Sequence, residues 1–161
     1  MRGMHQRAAE FVERARDRYG VDVAVEEFPA GTKTAADAAD AIGCAVAQIA
    51  SSLVFAVGDD LVVVVTSGAN RVSEARLAAL SDVDEADVAM ADPDRVADRL
   101  GWSIGGVPPF CHDTDVPVLV DETLLAYETV WAAAGTPEAV FAIAPEELRR
   151  LAGGRVVDVA E

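Results

Sequence analysis

The chain has 161 residues, of which 52% are apolar and only 6% aromatic, a length and composition that suit one domain with a core of small side chains. We therefore expect residues 1–161 to form a single domain. The sequence holds 2 cysteines, too few for a disulfide framework, and shows neither a signal peptide nor an apolar run near the roughly 20 residues of a membrane span. These features predict a cytoplasmic protein without a membrane partner.

Acidic residues dominate the charge. Asp and Glu number 28 against 13 Lys and Arg, for a formal net charge of −15, and Lys33 is the sole lysine. This balance argues against non-specific nucleic-acid binding, which needs basic patches, although it leaves room for a small specific site. Many carboxylates with scarcely any lysine are typical of adaptation to concentrated salt, and the alternative is simply an acidic soluble protein.

The charge predicts that molar KCl stabilises the fold. At 1 M salt the Debye length falls to about 3 Å, so the repulsion among carboxylates that opposes the compact state is screened. We expect a higher melting temperature in molar KCl than in dilute buffer, measured by thermal unfolding in both. A melting temperature that falls on adding KCl would contradict this interpretation.

Hydrophobic periodicity and turn residues divide the first half of the chain. Thr34 begins a capping pattern for an alanine-rich helix, and the β-branched run from Leu61 to Val65 predicts a strand buried on both faces. The predicted elements are a helix over 4–19, a strand over 21–25, a turn at 28–31, a helix from 34 to 42, and strands over 48–57 and 61–65 joined by a turn at 58–60.

The second half continues with short elements. Asp92-Pro93 supplies an N-cap and a first-turn proline for a helix. The predicted elements are a helix over 72–80, a strand over 86–90, a helix from 93 to 100, a strand over 117–120, a turn or helical turn over 121–125, a strand pair over 128–134 and 139–143, a helix from 145 and a strand at 156–157. Helices and strands are interspersed without strict alternation, so we expect an α/β domain with a mixed sheet flanked by helices.

A loop of two glycines, a spacer, two prolines and an aromatic residue spans 105–110. Glycine allows a ligand to approach the main chain, and proline fixes the backbone around it. The segment is therefore a stiff loop whose N–H groups could face a ligand. A structural turn between two strands is the alternative interpretation.

Other reactive residue types do not assemble into a recognisable site. Cys111 and His112 are adjacent, so in extended backbone they point to opposite faces and are poorly placed to share a metal or to form a nucleophile pair. Ser51-Ser52 lacks the Gly-x-Ser-x-Gly elbow of serine hydrolases. The sequence contains neither a Walker phosphate-binding loop nor a Gly-x-Gly-x-x-Gly motif. We predict no metal and no cofactor.

Five segments in order resemble one family. They are Thr32–Gly43, Gln48–Phe55, Gly105–Phe110, Val118–Glu122 and Val130–Pro137. Each segment is weakly specific, but their order and spacing together are similar to the YbaK/EbsC family, the prolyl-tRNA synthetase editing-domain superfamily. The resemblance covers nearly the whole chain.

The resemblance implies a partly closed mixed sheet and a free-standing aminoacyl-tRNA deacylase that needs no metal. The substrate would be the aminoacylated tRNA 3′ end, and an aminoacyl-tRNA synthetase is a possible partner. The catalytic residues implied are Ser51, which would orient the tRNA end or a water, and Gly105 and Gly106, whose N–H groups would hold the ester carbonyl. The substrate-binding residues implied are Thr34, Val107, Pro108, Pro109, Phe110 and His112.

Ser51 departs from the family pattern, because members commonly carry a lysine at this position. A serine offers hydrogen bonds but no charge. Three alternatives follow: the loop and a water suffice for activity, another residue such as Lys33 substitutes, or the protein binds its ligand without cleaving it. A non-tRNA ester hydrolase is a further alternative, although no nucleophile signature accompanies it.

Overall fold

A computed structural model describes residues 5–28 and 34–161. Its helices are α1 (Gln6–Tyr19), α2 (Ala35–Ile42), α3 (Glu74–Ser81), α4 (Pro93–Leu100) and α5 (Pro145–Ala152). Its strands are β1 (Val25–Glu27), β2 (Ile49–Val57), β3 (Asp60–Ser67), β4 (Val88–Met90), β5 (Val118–Asp121), β6 (Val130–Ala133), β7 (Ala139–Ile143) and β8 (Arg155–Val157).

The strands form one mixed sheet in the order β1-β7-β6-β2-β3-β5-β8, with β4 attached to β2. β2 and β3 form a long antiparallel hairpin, whereas β2 with β6 and β3 with β5 pair in parallel. Helices flank the sheet, so the mixed α/β architecture predicted from the sequence is confirmed. Among the described residues, no helix is both long and apolar enough to cross a membrane.

Strand β3 is the centre of the fold. Val63 and Val65 belong to the main core cluster together with Phe11 and Trp102, while Val64 packs on the opposite face against α3 and β8. Val63, Val64 and Val65 have no exposed surface. The prediction of a strand buried on both faces is therefore confirmed, and it follows from a run in which every side chain is β-branched or aliphatic.

One predicted strand lies further along the chain than expected. Val21 and Val23 pack against the main core as partly buried side chains, outside any strand. The paired segment is Val25–Glu27, because only there does a partner exist, in β7. The turn predicted at 28–31 falls mostly on residues 29–33, which lie outside the described residues.

Candidate functional site

A cavity of about 490 Å³ opens beside the middle of β2. Its walls come from the start of α2, from β2 itself, from the loop at 104–107 and from the β6–β7 hairpin. The lining residues are Thr34, Ala35, Ala38, Ile49, Ala50, Ser51, Ser52, Leu53, Val54, Met90, Ile104, Gly105, Val107, Trp131, Ala133, Pro137, Glu138 and Val140. Most of these side chains are apolar, which is usual for a small-molecule site with a few polar groups.

The wall formed by β2 contains a gap in the sheet. On the edge away from β3, β2 pairs with β6 through Ile49 and Ala50 and with β4 through Phe55–Val57. No described strand pairs with residues 51–54 on that edge. The Ala91 N–H donates to the Val54 carbonyl at 3.0 Å, and main-chain groups alternate in an antiparallel pair. The N–H and C=O of Ser52 therefore face the gap as well, and they offer a ligand one donor and one acceptor.

Ser51 and Ser52 point to opposite faces of β2, as neighbours in a strand do. Ser52 shares its face with Ala50 and Val54, which belong to the main core, and Ser51 shares the other face with Ile49, which packs under α2. The hydroxyl oxygen of Ser52 is buried without a hydrogen-bond partner among the described residues. Such a group costs free energy unless a ligand or water satisfies it.

The two glycines of the loop have different surroundings. Gly105 is exposed, lines the cavity and has a φ of +93°, a region that favours glycine. Gly106 is buried, and its N–H donates to the Ser103 carbonyl at 3.0 Å. A Cβ at Gly106 would lie 2.7 Å from Thr136 Cα. The Gly105 N–H has no hydrogen-bond acceptor among the described residues, whereas Gly106 allows the loop to pack closely on the β6–β7 hairpin.

Pro108, Pro109 and Phe110 are buried beneath the loop and do not line the cavity. The Phe110 ring packs 5.4 Å from Phe11 and 5.8 Å from Phe141, measured between ring centroids. These three residues support the loop from behind, whereas Val107 is buried and also reaches the cavity wall. Of the substrate-binding set predicted around this loop, Val107 is thus the member that lines the cavity.

His112 is also buried behind the loop, away from the cavity lining. Its Nε2 lies 2.8 Å from the Pro108 carbonyl oxygen. Because a carbonyl only accepts, Nε2 carries the proton and donates. Burial lowers the pKa of His112, although the hydrogen bond to Pro108 opposes this shift. His112, which the sequence predicted at the pocket rim, therefore lies behind the loop as a neutral imidazole. Its hydrogen bond joins residue 112 to residue 108; we call this contact the His112 brace.

Three arginines of α1 hold the ends of the same loop. Arg7 donates to the Gly101 carbonyl, Arg14 pairs with Asp113 at 2.9 Å, and Arg18 donates to the His112 carbonyl at 2.9 Å. The Arg7 guanidinium also lies 4.3 Å from the centroid of a Trp102 ring. These contacts fix where the loop leaves and rejoins the fold, so α1 positions the glycine amide without touching the cavity.

The His112 brace predicts a pH dependence. A depressed pKa means that the folded state favours the neutral imidazole, so this stabilisation is complete above the unfolded value near 6.5 and is lost as the pH falls below it. We expect His112→Gln to flatten the decline of the melting temperature between pH 7 and 5. His5→Gln is measured in parallel, because His5 is the other histidine of the chain and its Nδ1 accepts from the Arg7 N–H at the start of α1; its profile shows what that cap contributes separately. An unchanged pH profile of the melting temperature in His112→Gln would contradict this contribution of His112 to stability.

The described residues form neither a metal site nor an activated cysteine. Among the described residues, no cluster of three His, Cys, Asp or Glu side chains is arranged to hold a metal. Burial raises the pKa of the Cys111 thiol to about 11, which makes it a poor nucleophile.

Thr34 caps α2 through its hydroxyl, 3.1 Å from the Asp37 N–H, and lines the cavity. Lys33 lies outside the described residues.

The sequence interpretation overlooked two polar members of this cavity, Ser52 and Glu138. Ser52 lies within the family-like segment Gln48–Phe55 but has no predicted role, and Glu138 lies between the strands predicted over 128–134 and 139–143, also without one. The alternation of β2 could have indicated that Ser51 and Ser52 face different sides. The gap beside them depends on how short β4 and β6 are, which no local pattern reveals.

Solved structures share this fold closely. One, provisionally described as a trans-editing enzyme for prolyl-tRNA synthetase, is 38% identical with a TM-score of 0.92, covering 99% of each chain. A hypothetical protein of solved structure is 26% identical with a TM-score of 0.82, covering 94% of this chain and 99% of that one. The uncharacterised protein YwhH of Bacillus subtilis (strain 168) is 30% identical over 139 residues, which are 85% of this chain and 87% of YwhH.

These likenesses define the class as the YbaK-like editing fold. The model of the aminoacyl-tRNA editing domain matches residues 29–151, a stretch that includes α2, the β2–β3 hairpin, the glycine loop and all but the last residue of α5. The chain belongs to the aminoacyl-tRNA editing domain family.

Proposed function

We propose that this protein hydrolyses the ester that joins a wrongly attached amino acid to the 3′ end of tRNA. The observation that carries the proposal is an apolar cavity lined by two segments with unused main-chain groups: the unpaired edge of β2 at Ser52, and Gly105, whose N–H has no acceptor among the described residues. An aminoacyl ester has a carbonyl oxygen that needs a donor and an apolar or polar side chain that needs a pocket. Both requirements are met within one cavity.

The proposed reaction needs few side chains. A water attacks the ester carbonyl carbon, and the carbonyl oxygen becomes an oxyanion that the Gly105 N–H stabilises as charge develops. The bond from that carbon to the ribose oxygen then breaks, and the ribose oxygen takes up the proton that the attacking water has lost, as the free amino acid leaves. The resemblance to the family implies that a ribose hydroxyl of the substrate assists the water. Ser51 would position the tRNA end by hydrogen bonding from the cavity wall.

The cavity lining indicates which amino acids it would accept. Ala38, Ala50 and Ala133 are among the side chains on its walls, and apolar walls penalise a charged or strongly polar side chain that finds no partner. Discrimination of this kind is the usual task of an editing site. We expect faster hydrolysis of tRNA bearing an apolar wrong amino acid than of tRNA bearing Asp or Lys.

Deacylation assays test the proposal directly. A panel of mischarged tRNAs bearing alanine, valine, aspartate and lysine is incubated with the protein in molar KCl, and amino-acid release is followed over time. The proposal expects at least one apolar member to be released faster than in the enzyme-free blank. If every tRNA is hydrolysed only at the blank rate, the enzyme function is refuted.

The second candidate function is binding without cleavage, and Ser51 is the observation that favours it. A neutral hydroxyl stands where the family commonly has lysine, so the cavity would hold an aminoacyl-adenosine or contact a synthetase without turnover. Ser51→Lys discriminates the two functions. A large gain in deacylation would indicate a decayed site, whereas an active wild-type protein whose rate Ser51→Lys does not increase supports the enzyme as it stands.

A further inference from the structure

Glu138 is the one ionisable side chain among the described residues that line the cavity. It is half-buried, and no ion pair or hydrogen bond to its carboxylate is found within the described part of the chain. The other lining side chains with polar atoms are neutral: Thr34, Ser51 and Ser52 carry hydroxyls, and Trp131 carries an indole N–H. Among the described lining residues this carboxylate is the only charge, so a ligand group that enters with a positive charge gains a charge-assisted hydrogen bond there.

The main chain of Glu138 is firmly placed. Its carbonyl accepts from the Phe28 N–H at 2.8 Å, and the next residue, Ala139, begins β7 with its N–H 3.2 Å from the Thr136 carbonyl. Ala139 is in the main core, and Val140 lines the cavity. Because successive side chains alternate, Glu138 falls on the cavity side with Val140.

Glu138 also lies close to the loop that would hold the ester carbonyl. The hairpin residues just before it touch that loop: a Cβ on Gly105 would be 3.3 Å from Pro137 Cγ, and one on Gly106 would be 2.7 Å from Thr136 Cα. In an aminoacyl ester the α-ammonium is attached to the carbon next to the carbonyl. A carboxylate one residue beyond Pro137 is therefore on the side where that ammonium would lie.

We propose that Glu138 binds the α-ammonium of the aminoacyl group, and that the site thereby selects esters with a free α-amine over N-blocked ones such as N-acetylaminoacyl- or peptidyl-tRNA. This inference rests on the proposed function. The α-ammonium is the cation that every aminoacyl ester carries, whereas the tRNA end carries only phosphates, which a carboxylate repels. Glu138 thus also orients the substrate, with the amino acid toward the β6–β7 hairpin and the phosphates away from it.

The test compares Glu138→Gln, which keeps the shape and removes the charge, with the wild-type protein. Each is assayed on one mischarged tRNA with its α-amine free and on the same tRNA after N-acetylation. We expect Glu138→Gln to lower kcat/KM for the free amine by about 10- to 100-fold, the range for a charge-assisted hydrogen bond, and to leave the acetylated ester within about twofold. Glu128→Gln, an exposed site outside the cavity, is the control for loss of one negative charge.

A binding measurement separates failure of this inference from failure of the proposed function. The probe is a 3′-amide analogue of aminoacyl-adenosine, which cannot be hydrolysed as the ester is, prepared with a free or an acetylated α-amine and titrated by calorimetry. If the wild-type protein cleaves nothing but binds the free-amine probe more tightly, and Glu138→Gln abolishes that preference, the inference holds and catalysis fails.

Two results would overturn the role of Glu138. One is an equal loss on free and acetylated substrates, which would mark Glu138 as a base that activates water. The other is a wild-type protein that binds or cleaves both forms equally well, or binds neither.

Discussion

Replacing Gly106 with alanine is expected to reduce deacylation by about 100-fold or more, because an error near 1 Å in placing a reacting group can cost that much. A Cβ at this position would lie 2.7 Å from Thr136 Cα, 2.8 Å from Thr136 N and 2.9 Å from the Gly135 carbonyl oxygen. These are backbone atoms of the β6–β7 hairpin and cannot rotate away. The loop must shift, and the Gly105 amide shifts with it.

Gly153→Ala is the matched control for this change. Gly153 ends α5 with a φ of +63°, and a Cβ there meets no atom within 4 Å. Alanine in this backbone region costs about 1–2 kcal/mol, similar to the 1–3 kcal/mol usual for overpacking. Initial rates and melting temperatures of both variants separate the effects. Gly106→Ala with wild-type activity, or Gly153→Ala with the same loss of activity, would show that the close approach at Gly106 is unimportant.

Replacing Asp121 with alanine is expected to lower the free energy of unfolding by about 3 kcal/mol, since buried donors left without an acceptor cost about 1–3 kcal/mol each. Asp121 is 1% exposed. Its carboxylate accepts from the Ser67 N–H at 3.2 Å, the Asn70 amide at 2.9 Å and the Thr123 N–H at 3.0 Å. The change would therefore loosen the contact between the ends of β3 and β5. Strand β3 belongs to the β2–β3 hairpin, whose strand β2 forms one wall of the cavity.

Asp158→Ala is the comparison, because Asp158 is an exposed carboxylate paired with Arg76 and such pairs contribute about 0–1 kcal/mol. Urea unfolding in molar KCl measures both variants. Burial alone would raise the pKa of Asp121, but the hydrogen bonds from Asn70, Thr123 and Ser67 lower it below its usual value. Its contribution is thus present at neutral pH and is lost as the pH falls through the lowered pKa. Equal losses in the two variants would contradict the role given to Asp121.

The sequence predicted those features that depend on local chemistry. Thr34 and Gly43 bound α2 as expected from a cap and a left-handed glycine. Pro93 begins α4 after the Asp92 cap, and the aliphatic run in β3 is buried on both faces. Each outcome follows from the intrinsic preferences of a few consecutive residues. These elements could therefore be located in the sequence without knowledge of their tertiary contacts.

The different roles of the residues in and after the loop could not be predicted in this way. Gly105 and Gly106 are equivalent by composition, and they differ only in the folded loop, which returns the Gly106 N–H to Ser103 and packs Gly106 against Thr136. His112 follows the loop closely enough to suggest a rim residue, yet its ring turns inward to Pro108. In both cases the deciding contact lies within the folded loop, whose path is set by α1 and by the β6–β7 hairpin.

Residues from distant parts of the chain meet at the cavity for the same reason. Glu138 lies between two predicted strands in the sequence, and it lines the same cavity as Gly105 because the hairpin packs against the loop through Thr136 and Pro137. The gap beside Ser52 exists because β6 ends its pairing at Ala50 and β4 begins at Phe55. Strand pairing between remote segments creates this site, and resemblance to a family was the only route to it from the sequence.

Ligand binding at this cavity can be followed directly through the main-chain amides, by NMR during titration with the 3′-amide analogue of aminoacyl-adenosine in molar KCl. We expect the Gly105 and Ser52 amide signals to shift together and to saturate at one ligand per chain, while the Gly153 signal stays in place. Saturable binding that leaves Gly105 and Ser52 unmoved, or a titration without binding at all, would contradict the claim that this cavity holds the ester.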